Sequence, residues 1–144
     1  QWDQGLADLD AAYDHLASMP AVTGSVGLMG FCLGGRLAWH LAARHPCDAA
    51  VAYYPSGVSD ALGEATRISC PLLIHVGSED PYLPAEAVDA LRGAVADQAN
   101  VELQVHTGAG HAFDNHEAAM FHHRDAAAAA WEQTVAFLRL HLPT

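Results

Sequence analysis

The sequence contains no lysine and only six arginines, against 17 acidic residues in 144 positions, which gives a formal net charge of −11 at pH 7. A phosphate backbone or an anionic membrane surface binds proteins through clustered positive charge. The arginines form no such cluster, because they lie far apart in the sequence: Arg36, Arg44, Arg67, Arg92, Arg124 and Arg139. The composition therefore argues against nucleic acids and membranes as partners.

Cysteine is also scarce, with three residues in the chain: Cys32, Cys47 and Cys70. An odd number without repeated spacing does not suggest a disulfide framework, and no C-x-x-C pair suggests a zinc site. We interpret Cys47, at a helix end, and Cys70, at a strand start, as core thiols without chemistry of their own. A reducing, cytoplasmic location is the default expectation for this cysteine usage.

Long apolar runs are absent as well, since none approaches the roughly 20 residues that cross a bilayer. The start, QWDQGLADLD, is acidic and amphipathic and does not have the pattern of a secretory signal. The 51% of hydrophobic residues nevertheless suffices for one core. Because the sequence does not begin with methionine, we expect residues 1–144 to form a single but partial domain.

Hydrophobic periodicity predicts strands that alternate with helices. The predicted strands are Ser25–Met29, Ala49–Tyr54, Pro71–Val76 and Val101–His106. The predicted helices are 4–18, Gly35–His45, one opening at Pro84 and one starting near Asp125, with a loose crossover after Pro55. This alternation predicts an α/β fold, with a mainly parallel sheet flanked by helices on both faces.

Two helices are expected to bury an apolar stripe. On the N-terminal helix the stripe is Trp2, Leu6, Leu9, Tyr13 and Leu16. On the C-terminal helix it is Trp131, Val135, Leu138 and Leu142.

The first predicted strand runs into the sequence GFCLG, residues 30–34. This is the G-x-nucleophile-x-G turn, with cysteine in the position that serine often occupies. A strand that swings sharply into a helix strains the central residue, and we expect Gly30 and Gly34 to remove Cβ atoms that would collide. The Cys32 side chain would then stand at a helix N-terminus, which favours a thiolate and an oxyanion.

Two further strand ends carry the partners that a cysteine nucleophile needs. The third strand is followed by GSEDP, which contains Asp80, and the fourth by GAGHA, which contains His111. The carboxyl ends of parallel strands meet at one edge of a sheet, and the order nucleophile, acid, histidine is that of α/β hydrolases. In this arrangement His111 would take the thiol proton, and Asp80 would fix the histidine tautomer.

Other candidate groups fit less well. Glu79 neighbours Asp80, but the Asp-Pro step that opens the next helix favours Asp80 as the triad acid. Several histidines invite a metal-site interpretation, yet no H-x-x-x-H or H-E-x-x-H spacing supports it, and neither a metal nor another cofactor is expected. These histidines are His106, His116, His122 and His123. The glycines around Cys32 do not fit the dinucleotide motif G-x-G-x-x-G.

The chain resembles the dienelactone hydrolase (carboxymethylenebutenolidase) family of the α/β-hydrolase superfamily. The resemblance extends over essentially the whole chain, through DLDAAYDHLAS, GFCLGGR, HVGSEDPYLP, GAGHAFDN and AWEQTVAFL. It implies hydrolysis of a small ester or lactone through an acyl-thioester, with a triad of Cys32, Asp80 and His111. The same resemblance places one oxyanion-hole donor at the backbone N–H of Leu33.

Two departures from the family limit what the resemblance implies. Family members that bind a substrate carboxylate use an arginine shortly after the histidine, where this sequence has Asp114, Asn115 and His116. The early strands of the family fold, with a second oxyanion donor, are not in the sequence. We therefore expect slow turnover, and an edge of Ser25–Met29 that is covered by a second copy of the chain or by a preceding segment.

Two other functions stay open at this point. One is a catalytically weak hydrolase-fold module that acts in binding or assembly. The other is a thiol-reactive protein that is acylated or oxidised at Cys32 without turnover.

Overall fold

A four-stranded parallel sheet forms the centre of the structure, a computed structural model that describes residues 1–142. The strands are β1 (Gly27–Phe31), β2 (Ala49–Tyr53), β3 (Leu72–Gly77) and β4 (Val101–His106), adjacent in that order. The helices are α1 (Trp2–Ser18), α2 (Leu33–Ala42), a 3₁₀ helix (Val58–Arg67), α3 (Ala85–Ala94) and α4 (Arg124–His141). The predicted α/β class is confirmed.

The two central strands are buried along their whole length. Helix α2 packs on β1 and β2, and α4 packs on β2 and β3. Every residue of the sequences AAVAY (β2) and LLIHVG (β3) is buried. Such nearly continuous apolar runs are typical of parallel strands that are covered on both faces.

The first strand lies two residues later than the predicted Ser25–Met29. The carboxylate of Asp48 accepts a hydrogen bond of 2.6 Å from the Val26 N–H, and the Asp48 N–H donates to the Val26 carbonyl at 2.9 Å. The Asp48 side chain therefore takes the hydrogen bond of the Val26 N–H, and the strand pairing with β2 runs from Gly27 to Phe31.

The crossover after Pro55 was predicted to be loose, and this prediction is wrong. Residues 58–67 form a 3₁₀ helix that buries Val58, Ala61 and Ala65. The buried indole of Trp39 donates to the Ala61 carbonyl at 3.1 Å, which ties the crossover to α2.

The apolar stripe predicted for α1 is only partly buried. Leu6 is buried, but the exposed fractions of Trp2 and Leu16 are 40% and 44%. The main neighbour of helix α1 is α2, which covers only part of its stripe, while Tyr13 packs against the core.

The stripe predicted for α4 is buried only in part, with Leu138 and Leu142 packed against the core. Trp131 is 57% exposed, whereas the buried residues are Ala126, Ala130, Thr134 and Phe137. The reason is a polar contact, because the Thr134 hydroxyl pairs with the Tyr53 hydroxyl at 2.8 Å and with His75 Nε2 at 3.0 Å. This contact turns the neighbouring face of the helix towards the sheet.

Strand β1 lies at an open edge of the sheet. It pairs with β2, and no other strand within residues 1–142 lies along its second side. Met29 and Phe31 on this strand are 39% and 42% exposed. Covering of this edge by a second copy or by a preceding segment stays a prediction.

No helix in the described part of the chain is long and apolar enough to cross a membrane.

A buried histidine pair makes the fold sensitive to acid. His75 Nδ1 lies 3.0 Å from His106 Nε2, and burial together with the charge of His106 lowers the pKa of His75 to about 3. In the unfolded chain a histidine titrates near pH 6.5. Between these two values the unfolded state binds a proton that the folded state does not, so stability falls as the pH falls.

We expect the free energy of unfolding to decrease by about 2 kcal/mol between pH 6.5 and pH 4.5 on account of His75. Urea unfolding of His75→Gln should show a flatter dependence on pH than the unmodified chain. The same substitution at His15, which is exposed on α1, serves as the control. Equal slopes for His75→Gln and the unmodified chain would contradict the assignment.

Candidate active site

Cys32 occupies a strained turn between β1 and α2. Its φ of 55° and ψ of −118° lie in a region that side chains other than glycine rarely adopt. The Cys32 N–H donates to the Tyr53 carbonyl at 3.0 Å, which fixes the turn against β2. A Cβ on Gly30 would lie 1.9 Å from the Gly34 carbonyl oxygen, whereas a Cβ on Gly34 would meet nothing within 4 Å. Of the two flanking glycines, only Gly30 is required for steric reasons.

Asp80 and His111 are brought together by a close approach of two loops. A Cβ on Gly77, the last residue of β3, would lie 2.2 Å from the Ala109 carbonyl oxygen, so this crossing requires glycine. His111 Nδ1 lies 2.8 Å from Asp80 Oδ2. The Asp80 side chain is fully buried, and its Oδ1 accepts a 2.8 Å hydrogen bond from the Tyr82 N–H. One oxygen of the carboxylate is thus held by the backbone while the other orients the imidazole.

Ser56 lies between the predicted nucleophile and the predicted base. Its Oγ is 3.3 Å from Cys32 Sγ and 3.5 Å from His111 Nε2. Sequence analysis missed this residue. The available signal was its position in YYPSG, directly after β2, at the same edge of the sheet as the other three loops.

The electrostatics of the site favour a charged thiolate beside a charged imidazole. Burial raises the pKa of Cys32, but hydrogen bonds with Ser56, His111 and the Leu33 N–H, together with the His111 charge, outweigh it and lower the pKa. Burial lowers the pKa of His111, and hydrogen bonds with Asp80 and Cys32 outweigh that effect and raise it. The Leu33 N–H therefore lies next to the sulfur, and its role as an oxyanion donor stays a prediction.

We expect iodoacetamide to label Cys32 with a midpoint below the ordinary thiol pKa of about 8.5, and His111→Gln to move that midpoint upward. The rate of labelling as a function of pH measures the midpoint, and the buried thiols of Cys47 and Cys70 should react slowly. His122→Gln, in the wall of the adjacent cavity, is the matched control and should leave the midpoint unchanged. If the labelling midpoint of Cys32 is that of an ordinary thiol both in the unmodified chain and in His111→Gln, the pairing of Cys32 with His111 is contradicted.

Tyr54 and Asp114 form a second polar contact beside His111. The Tyr54 hydroxyl donates to the Asp114 carboxylate, and the edge of the Tyr54 ring faces the imidazole with 4.8 Å between ring centroids. Asp114 stands in the segment where the family resemblance would place a substrate-binding arginine. Its carboxylate is held by the tyrosine instead.

A cavity of about 450 Å³ opens on the other side of His111. The Tyr82 ring lines this cavity, and its centroid lies 4.7 Å from the centroid of the His111 imidazole. Met120 and Phe121 add apolar surface, and no arginine lines the cavity. Within residues 1–142 no group of three or more His, Cys, Asp or Glu side chains is placed to hold a metal ion. His106, one of the histidines considered for such a site, is instead buried against His75.

The parallel sheet and the strained strand-to-helix turn define the class of protein, an α/β hydrolase fold. A solved structure of an α/β serine hydrolase homologue from Coxiella burnetii has this fold, with a TM-score of 0.65 and 21% identity over 93% of this chain and 57% of that one. The sequence model of the dienelactone hydrolase family matches residues 1–142. The chain belongs to the dienelactone hydrolase family.

Similar proteins agree with this assignment. The chain is 38% identical over 113 residues to a carboxymethylenebutenolidase from Pseudomonas putida, covering 77% of this chain and 47% of the relative. A structure from Klebsiella pneumoniae, assigned as a dienelactone hydrolase, has a TM-score of 0.82 at 31% identity, covering 92% of this chain and 59% of that one. A dienelactone hydrolase-like promiscuous phosphotriesterase from metagenomic libraries has a TM-score of 0.80 at 26% identity, covering 92% and 59%. The chain thus spans about half the length of the curated relatives that it matches.

Proposed function

We propose that this chain hydrolyses small esters or lactones by covalent catalysis at Cys32, with His111 as the base and Asp80 as the residue that orients it. The observation that carries the proposal is the continuous polar chain from Cys32 through Ser56 and His111 to Asp80, assembled at one edge of the sheet. Membership in a hydrolase family supports the same chemistry.

In this mechanism the Cys32 thiolate attacks the carbonyl carbon and forms a carbon–sulfur bond. The carbonyl oxygen becomes an oxyanion, which the Leu33 N–H stabilises at the N-terminus of α2. The intermediate collapses, the carbon–oxygen bond of the ester breaks, and the leaving alkoxide takes a proton from His111. Water then gives a proton to His111 and attacks the thioester, which releases the carboxylic acid and restores the thiolate.

Ser56 gives this mechanism a hydroxyl that contacts both reacting groups. A proton moving from sulfur to His111 has a path of 3.3 Å and then 3.5 Å through its Oγ. Asp80 is fully buried, so it retains its orientation and its charge stabilises the imidazolium in a water-poor setting.

The cavity beside His111 indicates the substrate class. Its lining combines the apolar surface of Tyr82, Met120 and Phe121 with polar side chains but holds no arginine for a substrate carboxylate, which fits a neutral ester or lactone with an apolar group. Asp114 and the net charge of −11 oppose the approach of an anion.

We therefore expect little preference for anionic lactones. A lactone that bears a carboxylate should show a kcat/KM no higher than that of its neutral methyl ester, measured side by side at low salt. The expectation is falsified if the carboxylate form is preferred by more than about tenfold, which corresponds to about 1.4 kcal/mol.

Steady-state release of p-nitrophenol from p-nitrophenyl acetate separates this proposal from its two alternatives. Continuous release that is lost in Cys32→Ser supports the hydrolase, even if turnover is slow. A single burst equal to the enzyme concentration indicates a thiol that is acylated without turnover. No release at all indicates a binding or assembly module.

A further inference from the structure

The two cysteines outside the active site are in contact with each other. Cys47 precedes β2 and Cys70 precedes β3, and their sulfur atoms are 2.7 Å apart. Both residues are buried, with exposed fractions of 5% and 4%. They lie at the amino ends of the central strands, at the opposite edge of the sheet from Cys32.

We propose that Cys47 and Cys70 form a dithiol site that closes to an intramolecular disulfide when the protein meets a peroxide. The segments that carry them enter adjacent parallel strands, in which Ala50 is paired with Leu72. Adjacent strands are spaced about 4.8 Å apart, and a disulfide joins Cα atoms about 4.4–6.8 Å apart. The sulfur atoms need to move by only about 0.7 Å to reach bonding distance.

The polar surroundings indicate which sulfur reacts first. The Cys47 thiol donates a hydrogen bond to the Cys70 sulfur, and this bond lowers the pKa of Cys70 against the effect of burial. The same contact and burial raise the pKa of Cys47. Asp48 and the Tyr13 phenol are the other titratable groups that face the pair. Of the two thiols, Cys70 is therefore the one that loses its proton more readily.

The reaction balances with hydrogen peroxide as the oxidant. The Cys70 thiolate attacks one peroxide oxygen, the O–O bond breaks, and Cys70 becomes a sulfenic acid while hydroxide leaves. The Cys47 sulfur then attacks the Cys70 sulfur, forms the S–S bond and displaces the second hydroxide. Two thiols lose two electrons and two protons, and the peroxide becomes two molecules of water.

Closing this bond would encircle residues 47–70, a segment that contains β2, the 3₁₀ helix and two residues of the candidate active site, Tyr54 and Ser56. A cross-link of this span restricts the unfolded chain and so stabilises the folded one. Oxidation of the dithiol site would thus restrain the segment that places Ser56 next to Cys32.

Trypsin separates the three cysteines, because the chain is cleaved only after arginine. Cys32 falls in peptide 1–36, Cys47 in peptide 45–67 and Cys70 in peptide 68–92. The unmodified chain and Cys32→Ser are treated with hydrogen peroxide, free thiols are alkylated, and the digest is analysed by mass spectrometry without reductant. We expect peptides 45–67 and 68–92 to be joined in both proteins and to separate after a thiol reductant is added.

Alkylated, unjoined peptides 45–67 and 68–92 would overturn the proposal, and so would joining of either to peptide 1–36 or oxidation beyond the disulfide. Thermal unfolding gives a second measurement. Peroxide should raise the Tm of Cys32→Ser by about 5–10 °C and should not change that of Cys32→Ser with Cys47→Ala. If the double variant does not fold, the peptide analysis of Cys32→Ser decides the question by itself.

Discussion

Replacing Cys32 by serine should lower the turnover of p-nitrophenyl acetate by at least about 10³-fold while the fold survives. The strained backbone of the turn does not depend on sulfur, and serine is close to cysteine in size. A serine hydroxyl is far harder to deprotonate than a thiol, because the pKa of an alcohol lies many units higher. In addition, the hydrogen bonds with Ser56 and His111 lower the pKa of the Cys32 thiol. The measurement is kcat under saturating ester, with the circular dichroism spectrum and Tm as checks on folding.

Cys47→Ser, the same chemical change at a buried cysteine remote from the site, is the matched control. It should retain kcat even if it lowers the Tm, because Cys47 lies at the opposite edge of the sheet. Comparable turnover by Cys32→Ser and the unmodified chain would show that Cys32 is not the attacking residue.

Asp80→Asn should lower kcat by about 10⁴-fold, the scale seen when a triad carboxylate becomes an amide. The buried carboxylate accepts from His111 Nδ1–H and from the Tyr82 N–H. With Oδ1 held by Tyr82, an asparagine presents its amide N–H₂ to His111 Nδ1. The imidazole then adopts the tautomer that has its proton on Nε2, where it cannot accept the proton of the nucleophile.

Glu79→Gln gives the control for Asp80→Asn, since it makes the same carboxyl-to-amide change one residue earlier. Glu79 is exposed, and its side chain lines the cavity rather than contacting His111 Nδ1. We expect its kcat to stay within about threefold of the unmodified value, the range of an exposed charge. A similar loss in both variants would mean that negative charge near the site matters and that the Asp80–His111 pair does not.

The sequence predicts the parts of the site that topology determines. Cys32, Asp80 and His111 each follow a strand, and parallel strands deliver their carboxyl ends to one edge. Knowing the strands was therefore enough to bring the three residues together. Ser56 follows a strand as well, but a serine in YYPSG has no distinguishing pattern. Its place between Cys32 and His111 depends on the turn after Tyr54, which has a φ of 34°.

Helix faces were predicted less well, because hydrophobic periodicity ranks side chains by polarity. Thr134 is buried in α4 since its hydroxyl has partners on Tyr53 and His75, and no such partner is visible along the helix itself. The contact between Cys47 and Cys70 escaped notice for a similar reason. It follows from the register of β2 against β3, which a sequence of well-spaced cysteines does not reveal.

The acyl-thioester is the central claim, and trapping it is the most direct test. The chain is mixed with p-nitrophenyl acetate, quenched in acid within the first turnover, digested with trypsin and analysed by mass spectrometry. We predict that peptide 1–36 gains the mass of one acetyl group at Cys32, that the label disappears once a limiting amount of ester has been consumed, and that Cys32→Ser shows no thioester. Continuous hydrolysis with peptide 1–36 unlabelled at every time would contradict the mechanism.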